Sequence, residues 1–178
     1  GRSVNDIIRD GFPVSATLGA WAILFALVVG VPAGIISALN QNKWQDNVVM
    51  AIAIIGVSVP NFVIATLLMY VFAVKLRWLP VAMWGTPRHV ILPMIALAGF
   101  PAAFFARLMR SSTLDVLSQD YIRTARAKGL SWYAVVVKHV VKNAILPVVT
   151  YLGPLVAGIL TGSFVVENIF AIPGLGRY

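Results

Sequence analysis

Four long stretches without a single charged side chain constrain this chain more than any other feature. They run Ser15–Leu39, Val48–Val74, Val90–Ala106 and Asn143–Val166. A helix crosses the hydrocarbon core of a bilayer with about 20 apolar residues, within a range of roughly 17 to 25. The third stretch sits at the lower limit, where Arg107 can snorkel and extend the span. The sequence therefore predicts four transmembrane helices, over about 15–39, 48–74, 90–108 and 143–166. Composition agrees: 60% of the residues are hydrophobic and 11% are charged. A soluble domain carries about 25% charged residues, so too few are present to cover a water-facing surface. The fold class expected is all-α, a polytopic transmembrane helical bundle. The first stretch is too long for a signal peptide, has no basic lead-in and is followed by three more spans.

The net charge of +8 would suggest nucleic acid in a soluble protein. Here no soluble domain remains to bind it, and basic residues collect in the loops that face the cytoplasm. Arg107, Arg110, Arg123, Arg126, Lys128, Lys138 and Lys142 lie between spans three and four, so that segment, about 109–142, is placed in the cytoplasm. Alternation puts the Asn40–Asn47 turn on the same side and the Lys75–His89 loop outside. Trp44, Trp78, Trp84 and Trp132 fall near span ends, as interfacial aromatics do.

Pro32, Pro60, Pro93, Pro101, Pro147 and Pro154 lie inside the spans. In a membrane, neighbouring helices can satisfy the backbone groups that proline frees. The prolines predict either kinks around a cavity or ordinary tolerated bends. Gly30 with Gly34, and Gly158 with Gly162, have the spacing that lets two helix backbones approach closely. Packing within the bundle is the expectation for both.

The segment Met109–Lys142 is too polar for lipid, yet it carries helix signals. Asp120 can cap a helix starting at Tyr121. Ile122, Ala125 and Gly129 recur at helical spacing as a smooth face, with Arg123 and Arg126 together on another. Gly129 suits the left-handed residue that ends a helix, followed by Leu130 as its hydrophobic contact. Ser131 can cap a second helix beginning near Trp132. The segment reads as helix, glycine turn, helix at the cytoplasmic surface. It is either an amphipathic element resting on anionic lipid or a docking element for a cytoplasmic partner, whose groove would meet Ala125.

The run Asp120-Tyr-Ile-Arg-Thr-Ala-Arg-Ala-Lys-Gly129-Leu resembles the EAA loop of ABC importer permeases, in particular the B-type subunit of the oligopeptide and dipeptide permeases. Arg123, Thr124 and Ala125 occupy the Glu-Ala-Ala places and Gly129 the glycine. The distal Ile-x-Leu-Pro places fall on His139 to Lys142, so the Glu and that Pro are missing. The peptide-permease version commonly carries Arg-Thr-Ala-Arg-Ala-Lys-Gly and a later Asn-Ala-x-Leu-Pro, here Asn143–Pro147. Thr161-Gly-Ser, the run Val166-Glu-Asn-Ile-Phe-Ala-Ile-Pro-Gly-Leu-Gly176, and Leu76-Arg-Trp-Leu-Pro80 resemble outer-face segments of the same family.

The resemblance implies a type I ABC importer transmembrane domain over 1–178, as a fragment of a chain with about six spans. It implies an ATP-driven, binding-protein-dependent importer of oligopeptides or dipeptides in the bacterial cytoplasmic membrane. The partners it implies are a second, C-type permease subunit, two ATPase subunits and an extracytoplasmic substrate-binding protein. Arg123, Thr124, Ala125, Arg126, Ala127, Gly129 and Leu130 would couple this chain to an ATPase. Import of nickel or glutathione by the same architecture stays open, as does an ATP-independent channel or carrier.

No catalytic residues are expected. No Gly-x-x-x-x-Gly-Lys-Ser/Thr loop is present, so ATP and Mg would be used by a partner chain and this chain binds no cofactor. His89 and His139 lack second ligands at zinc spacing, so no metal site is expected. Asp6 and Asp10 read as a solvated surface. No charge sits near the middle of any span, which argues against a proton-coupled carrier. The substrate-binding residues are not identified.

Overall fold

The computed structural model describes residues 1–160 and 163–178, and the described residues form helices and loops. Helix α1 spans Val4–Leu39. Ser3 and Asp6 start it with a reciprocal capping box, which satisfies two backbone donors that no intrahelical carbonyl can reach. Helix α2 spans Trp44–Ser58, and α3 spans Asn61–Leu68 and continues as a π-helical stretch, Met69–Lys75. Helix α4 spans Pro87–Leu117. Helix α5 spans Asp120–Ala127 and α6 spans Trp132–Val135. A π turn at Val136–Val140 joins α6 to α7, Val141–Ala144. Helix α8 spans Leu146–Leu160 and α9 spans Phe164–Ile169, followed by a short 3₁₀ turn at Leu175–Arg177.

Helices α1 and α4 are each long and apolar enough to cross a membrane unaided. With 36 and 31 residues they run about 54 and 46 Å. Both outlast the roughly 30 Å hydrocarbon core. Helix α4 therefore continues beyond the core as far as Leu117, into what the sequence suggests is loop.

These two helices form the spine of the bundle, and they run parallel. Gly30 lies against Ala102 and Phe105, and Gly34 against Ala106, Met109 and the backbone of Arg110. A Cβ at Gly30 would sit 2.6 Å from the Ala102 carbonyl oxygen, and one at Gly34 would sit 2.7 Å from the Met109 Cβ. The Gly30/Gly34 pair thus packs inside the bundle, as its spacing predicts. Gly162 of the second pair lies outside the described residues, as does Thr161. Around the contact the core is built from small residues, Ala22, Ala26, Ala96 and Ala106, with Leu18, Leu92, Phe105 and Met109 filling between them. Close backbone approach replaces hydrophobic squeezing when the surroundings are lipid. Trp21, Leu24, Val28, Ile52, Ile55, Phe62 and Leu67 point outward. An apolar exterior of this kind is what a lipid-facing surface requires and a soluble monomer avoids.

The return from the base of α1 to the start of α4 is a pair of helices sharply bent at Pro60. The axes before and after Pro60 differ by 107°. Val59 adopts the extended backbone that a residue preceding proline prefers, and α3 restarts at Asn61. A cavity of about 410 Å³ surrounds the break, lined by Ser58, Pro60, Asn61, Phe100, Pro101 and Leu155 among others. The chain bends again by 43° between α7 and α8, one residue before Leu146-Pro147. The remaining intraspan prolines, Pro32, Pro93, Pro101 and Pro154, stay within continuous helices. The prolines thus divide into two breaks and four tolerated positions. Helix α8 packs against α4 through Tyr151, whose ring lies 4.3 Å from that of Phe104.

Candidate functional site: the basic end of the bundle

The polar segment after α4 folds back as a helical hairpin. Helix α5 starts at Asp120 itself, with Gln119 in the capping position and no side-chain cap. The sequence suggests Asp120 as the cap; instead its carbonyl accepts from Thr124 Oγ1 at 3.1 Å and its carboxylate reaches Arg123 at 3.9 Å. Gly129 has φ +79°, the left-handed conformation its place after the helix demands. Ser131 then caps α6, its Oγ accepting from the Ala134 N–H at 3.2 Å.

Ile122 and Ala125 face inward and join Val135 and Val140 in a small buried cluster, with Val116 and Leu117 against it. Ala125 is only 6% exposed. The expectation that Ala125 meets a partner's groove is therefore corrected. The smooth face identified by periodicity closes the hairpin onto α4 and α6. The outward surface belongs to Tyr121, Arg123, Thr124, Ala127, Lys128, Gly129 and Leu130, all exposed. A Cβ at Gly129 would meet no atom within 4 Å.

The two arginines of α5 part company. Arg123 is solvated beside Asp120, with side chains 80% and 97% exposed, a geometry of little energetic value. Arg126 lies over the Trp132 ring at 5.0 Å, a cation–π contact that ties α5 to α6.

The π turn keeps the hairpin connected to the membrane bundle. The Val141 N–H donates to the Val136 carbonyl five residues back. Val135 and Val140, five apart, are thereby both buried on one side. Ser112 of α4 donates to the Ala144 carbonyl at 2.6 Å, anchoring α7 to the spine.

Beside the hairpin lies an ion pair that sequence reading missed. Asp46, 3% exposed at the start of α2, accepts from Arg110 Nε at 2.7 Å and Arg110 Nη2 at 2.8 Å. Ser37 of α1 donates its hydroxyl to the same carboxylate, and the Asn42 N–H donates at 3.0 Å. The two hydrogen bonds from Arg110 hold the Asp46 carboxyl far below the usual carboxylate range, against the opposing pull of burial. The carboxylate in turn raises the Arg110 guanidinium. One buried charge pair thus joins the ends of α1, α2 and α4. Its residues are 64 positions apart, and no local pattern links them.

At the opposite end Glu167 is fully buried. Its carboxylate accepts from Ser15 Oγ at 2.7 Å, the Ser163 N–H at 3.3 Å and the Gly176 N–H at 2.8 Å. The Leu175 N–H donates back to Ser15 Oγ at 2.8 Å. These bonds fasten the Pro-Gly-Leu-Gly turn to α1. Met83 N–H donates to the Phe170 carbonyl at 2.9 Å and brings in the loop after α3. Asp6 and Asp10 are exposed, as their neighbours predict.

Comparison with known proteins agrees with this architecture. The chain is 55% identical over 176 residues to the dipeptide transport system permease protein DppB of Bacillus subtilis, covering 99% of this chain and 57% of the relative. It is 49% identical to the oligopeptide transport system permease protein OppB of Salmonella typhimurium, covering 98% and 58%. It is 46% identical to the glutathione transport system permease protein GsiC of Escherichia coli O1:K1, covering 99% and 58%. The chain thus spans a little under three fifths of the length of these relatives. Among solved structures, the crystal structure of an amino acid ABC transporter with histidines matches with a TM-score of 0.73 at 18% identity, over 97% of this chain and 76% of that one. At that identity the match speaks for the fold, an ABC-transporter permease bundle. The family model for binding-protein-dependent transport system inner membrane components matches residues 30–178, and the chain belongs to that family.

Proposed function

We propose that this chain forms the helical core of one membrane subunit of an ATP-driven, binding-protein-dependent importer of dipeptides or oligopeptides. The observation that carries this reading is the exposed α5–Gly129–α6 hairpin. It presents Thr124, Ala127, Gly129 and Leu130 outward while its inner face is seated on α4 and, through α7, on α8. An element exposed on one side and bonded to the membrane helices on the other can transmit a push.

The partners of this reading are a second permease subunit, two ATPase subunits and an extracytoplasmic binding protein. ATP and Mg are used by the ATPases. The hairpin end faces the cytoplasm, in line with its excess of Lys and Arg, and the Glu167 end faces outward. ATP biases the assembly only if its two states differ in affinity for it. Rigid-body movement of the α1–α2–α4 unit, held by Asp46 and Arg110, then carries the change. The sharp bend at Pro60 is the place where a substrate passes. Non-helical backbone at membrane depth is tolerated where it lines a cavity, and Ser58 and Asn61 offer neutral polar groups there.

A peptide substrate is supported by the names of the relatives at 55% and 49% identity. Glutathione is a second reading, supported by the relative at 46% identity. Hydrolysis of ATP by the reconstituted complex, stimulated by binding protein loaded with a dipeptide, with an oligopeptide or with glutathione, separates them.

The coupling role is tested by cross-linking. The chain has no cysteine, so Thr124→Cys places the only thiol of this chain on the outward face. A cross-link to a candidate ATPase that changes in yield with ATP is expected. Absence of any cross-link from Thr124→Cys, Ala127→Cys or Leu130→Cys, with normal membrane insertion, would transfer the reading to an ATP-independent channel or carrier.

A further inference from the structure

We infer that the basic end carries a binding site for the phosphate head group of an anionic phospholipid, held between Lys43 and Arg126. A cavity of about 470 Å³ opens there where the α1–α2 turn meets α4, α5 and α6. Its volume is that of roughly fifteen liquid waters, ample for a head group and the first part of its chains.

The lining is amphipathic. Ala38, Leu39, Leu114, Leu117 and Ile122 form an apolar wall, while Gln41, Lys43, Ser118, Arg126 and Trp132 form the polar side. Two cations line it and no carboxylate does. Among the described residues neither Lys43 nor Arg126 has an ion-pair partner; the two pairs present use Arg110 and Arg123. Their unit charges outweigh the partial negative charges at the ends of α1 and α4.

Arg126 is also oriented before any ligand arrives. Its guanidinium is stacked on Trp132, which leaves the edge donors free to fork around phosphate oxygens. Trp132 and Trp44 are exposed at this level, the amphipathic aromatics that mark the bilayer interface. A free phosphate would satisfy the cations and leave the apolar wall bare. A phospholipid satisfies both, and basic pockets between helices on the cytoplasmic side suit such head groups. Only the leaflet assignment rests on the proposed orientation; the site itself does not depend on the transported substrate.

The test uses the full-length permease with its partner permease in phosphatidylcholine nanodiscs. Phosphatidylglycerol brominated in its acyl chains is titrated in, and quenching of tryptophan fluorescence is read. The share from Trp132 is defined by difference from Trp132→Phe. Each cation is worth about a five-fold change in affinity for an anionic surface. Lys43→Gln and Arg126→Gln should each raise the half-quenching fraction about five-fold, whereas Arg123→Gln should leave it unchanged. Lys43→Arg should retain binding, which guards against loss of fold as the cause. An equal shift with Arg123→Gln would reduce the effect to general surface attraction and overturn the site. Displacement of the lipid by millimolar inorganic phosphate would make it a free-anion site and overturn the lipid assignment. Loss of quenching on adding the ATPase subunits would assign the cavity to the ATPase instead.

Discussion

Replacing Arg110 by Met isolates the contribution of the buried ion pair. The substitution keeps the aliphatic stem and removes two charge-assisted hydrogen bonds, of 2.7 and 2.8 Å, to Asp46. The Asp46 side chain is 4% exposed and that of Arg110 24%, so the two partners are not equivalent. Removing one partner of a buried pair costs about 3–5 kcal/mol, because the other is left desolvated. Ser37 and the Asn42 N–H still serve the carboxylate, which places Arg110→Met near the lower figure, about 3 kcal/mol. Asp46→Asn leaves an arginine that can reach water and costs about 1–2 kcal/mol. The double variant should cost less than the sum by more than about 1 kcal/mol. Reversible unfolding in mixed detergent micelles measures all four corners of the cycle. The sign with pH follows from the depressed carboxyl. Its contribution is fully present above the ordinary carboxylate pKa of about 3.9 and is lost as pH falls towards the lower folded value. The gap between wild type and Arg110→Met should therefore be constant from about pH 5 to 8 and shrink below about pH 4. Additive single costs, or an Arg110→Met variant within about 0.5 kcal/mol of wild type, would refute the claim that this pair binds the three helix ends into one body.

Gly34→Leu should separate α1 from α4, since even a Cβ at this position meets the Met109 Cβ at 2.7 Å. A cost of about 1–3 kcal/mol is expected in the same unfolding assay, with Gly34→Ala nearer the lower end. Gly129→Ala and Gly129→Leu should cost the same, about 1–2 kcal/mol, because φ is +79° and no atom lies within 4 Å. Both variants should insert normally and lose ATP-driven import. Full import by Gly129→Leu would show that the turn is dispensable for coupling.

The apolar helices were readable because the composition of a segment is a local property, but the bends of 107° and 43° that interrupt two of the four stretches were not. The Gly129 turn and the Ser131 cap are local as well, since residue type and position suffice. Periodicity identified the Ile122–Ala125 face but could not say what covers it. An alanine face suits a partner's groove and a close intramolecular contact equally well, and here it packs on Val135 and Val140. Pro60 and Pro101 look alike in sequence. Only Pro60 breaks its helix, whereas Pro101 sits buried among the neighbours of α4. Asp46 with Arg110, and Ser15 with Glu167, are pairings between distant segments that exist only once the bundle is assembled.

The π turn at Val136–Val140 holds one residue more than an α-helical turn would. That surplus sets the angular phase between the hairpin and the membrane helix that follows it. In a continuous α-helix Val135 and Val140 would point about 140° apart. Straightening the turn into regular α-helix with every residue kept would rotate the hairpin by about 100° relative to α8, swinging Val135 out of its cluster and redirecting the Thr124 face, whereas excising one residue as well would leave the two valines four apart, about 40° from each other, and restore the phase. The direction in which this chain meets whatever lies beneath it is therefore set by a count of residues as much as by their identity.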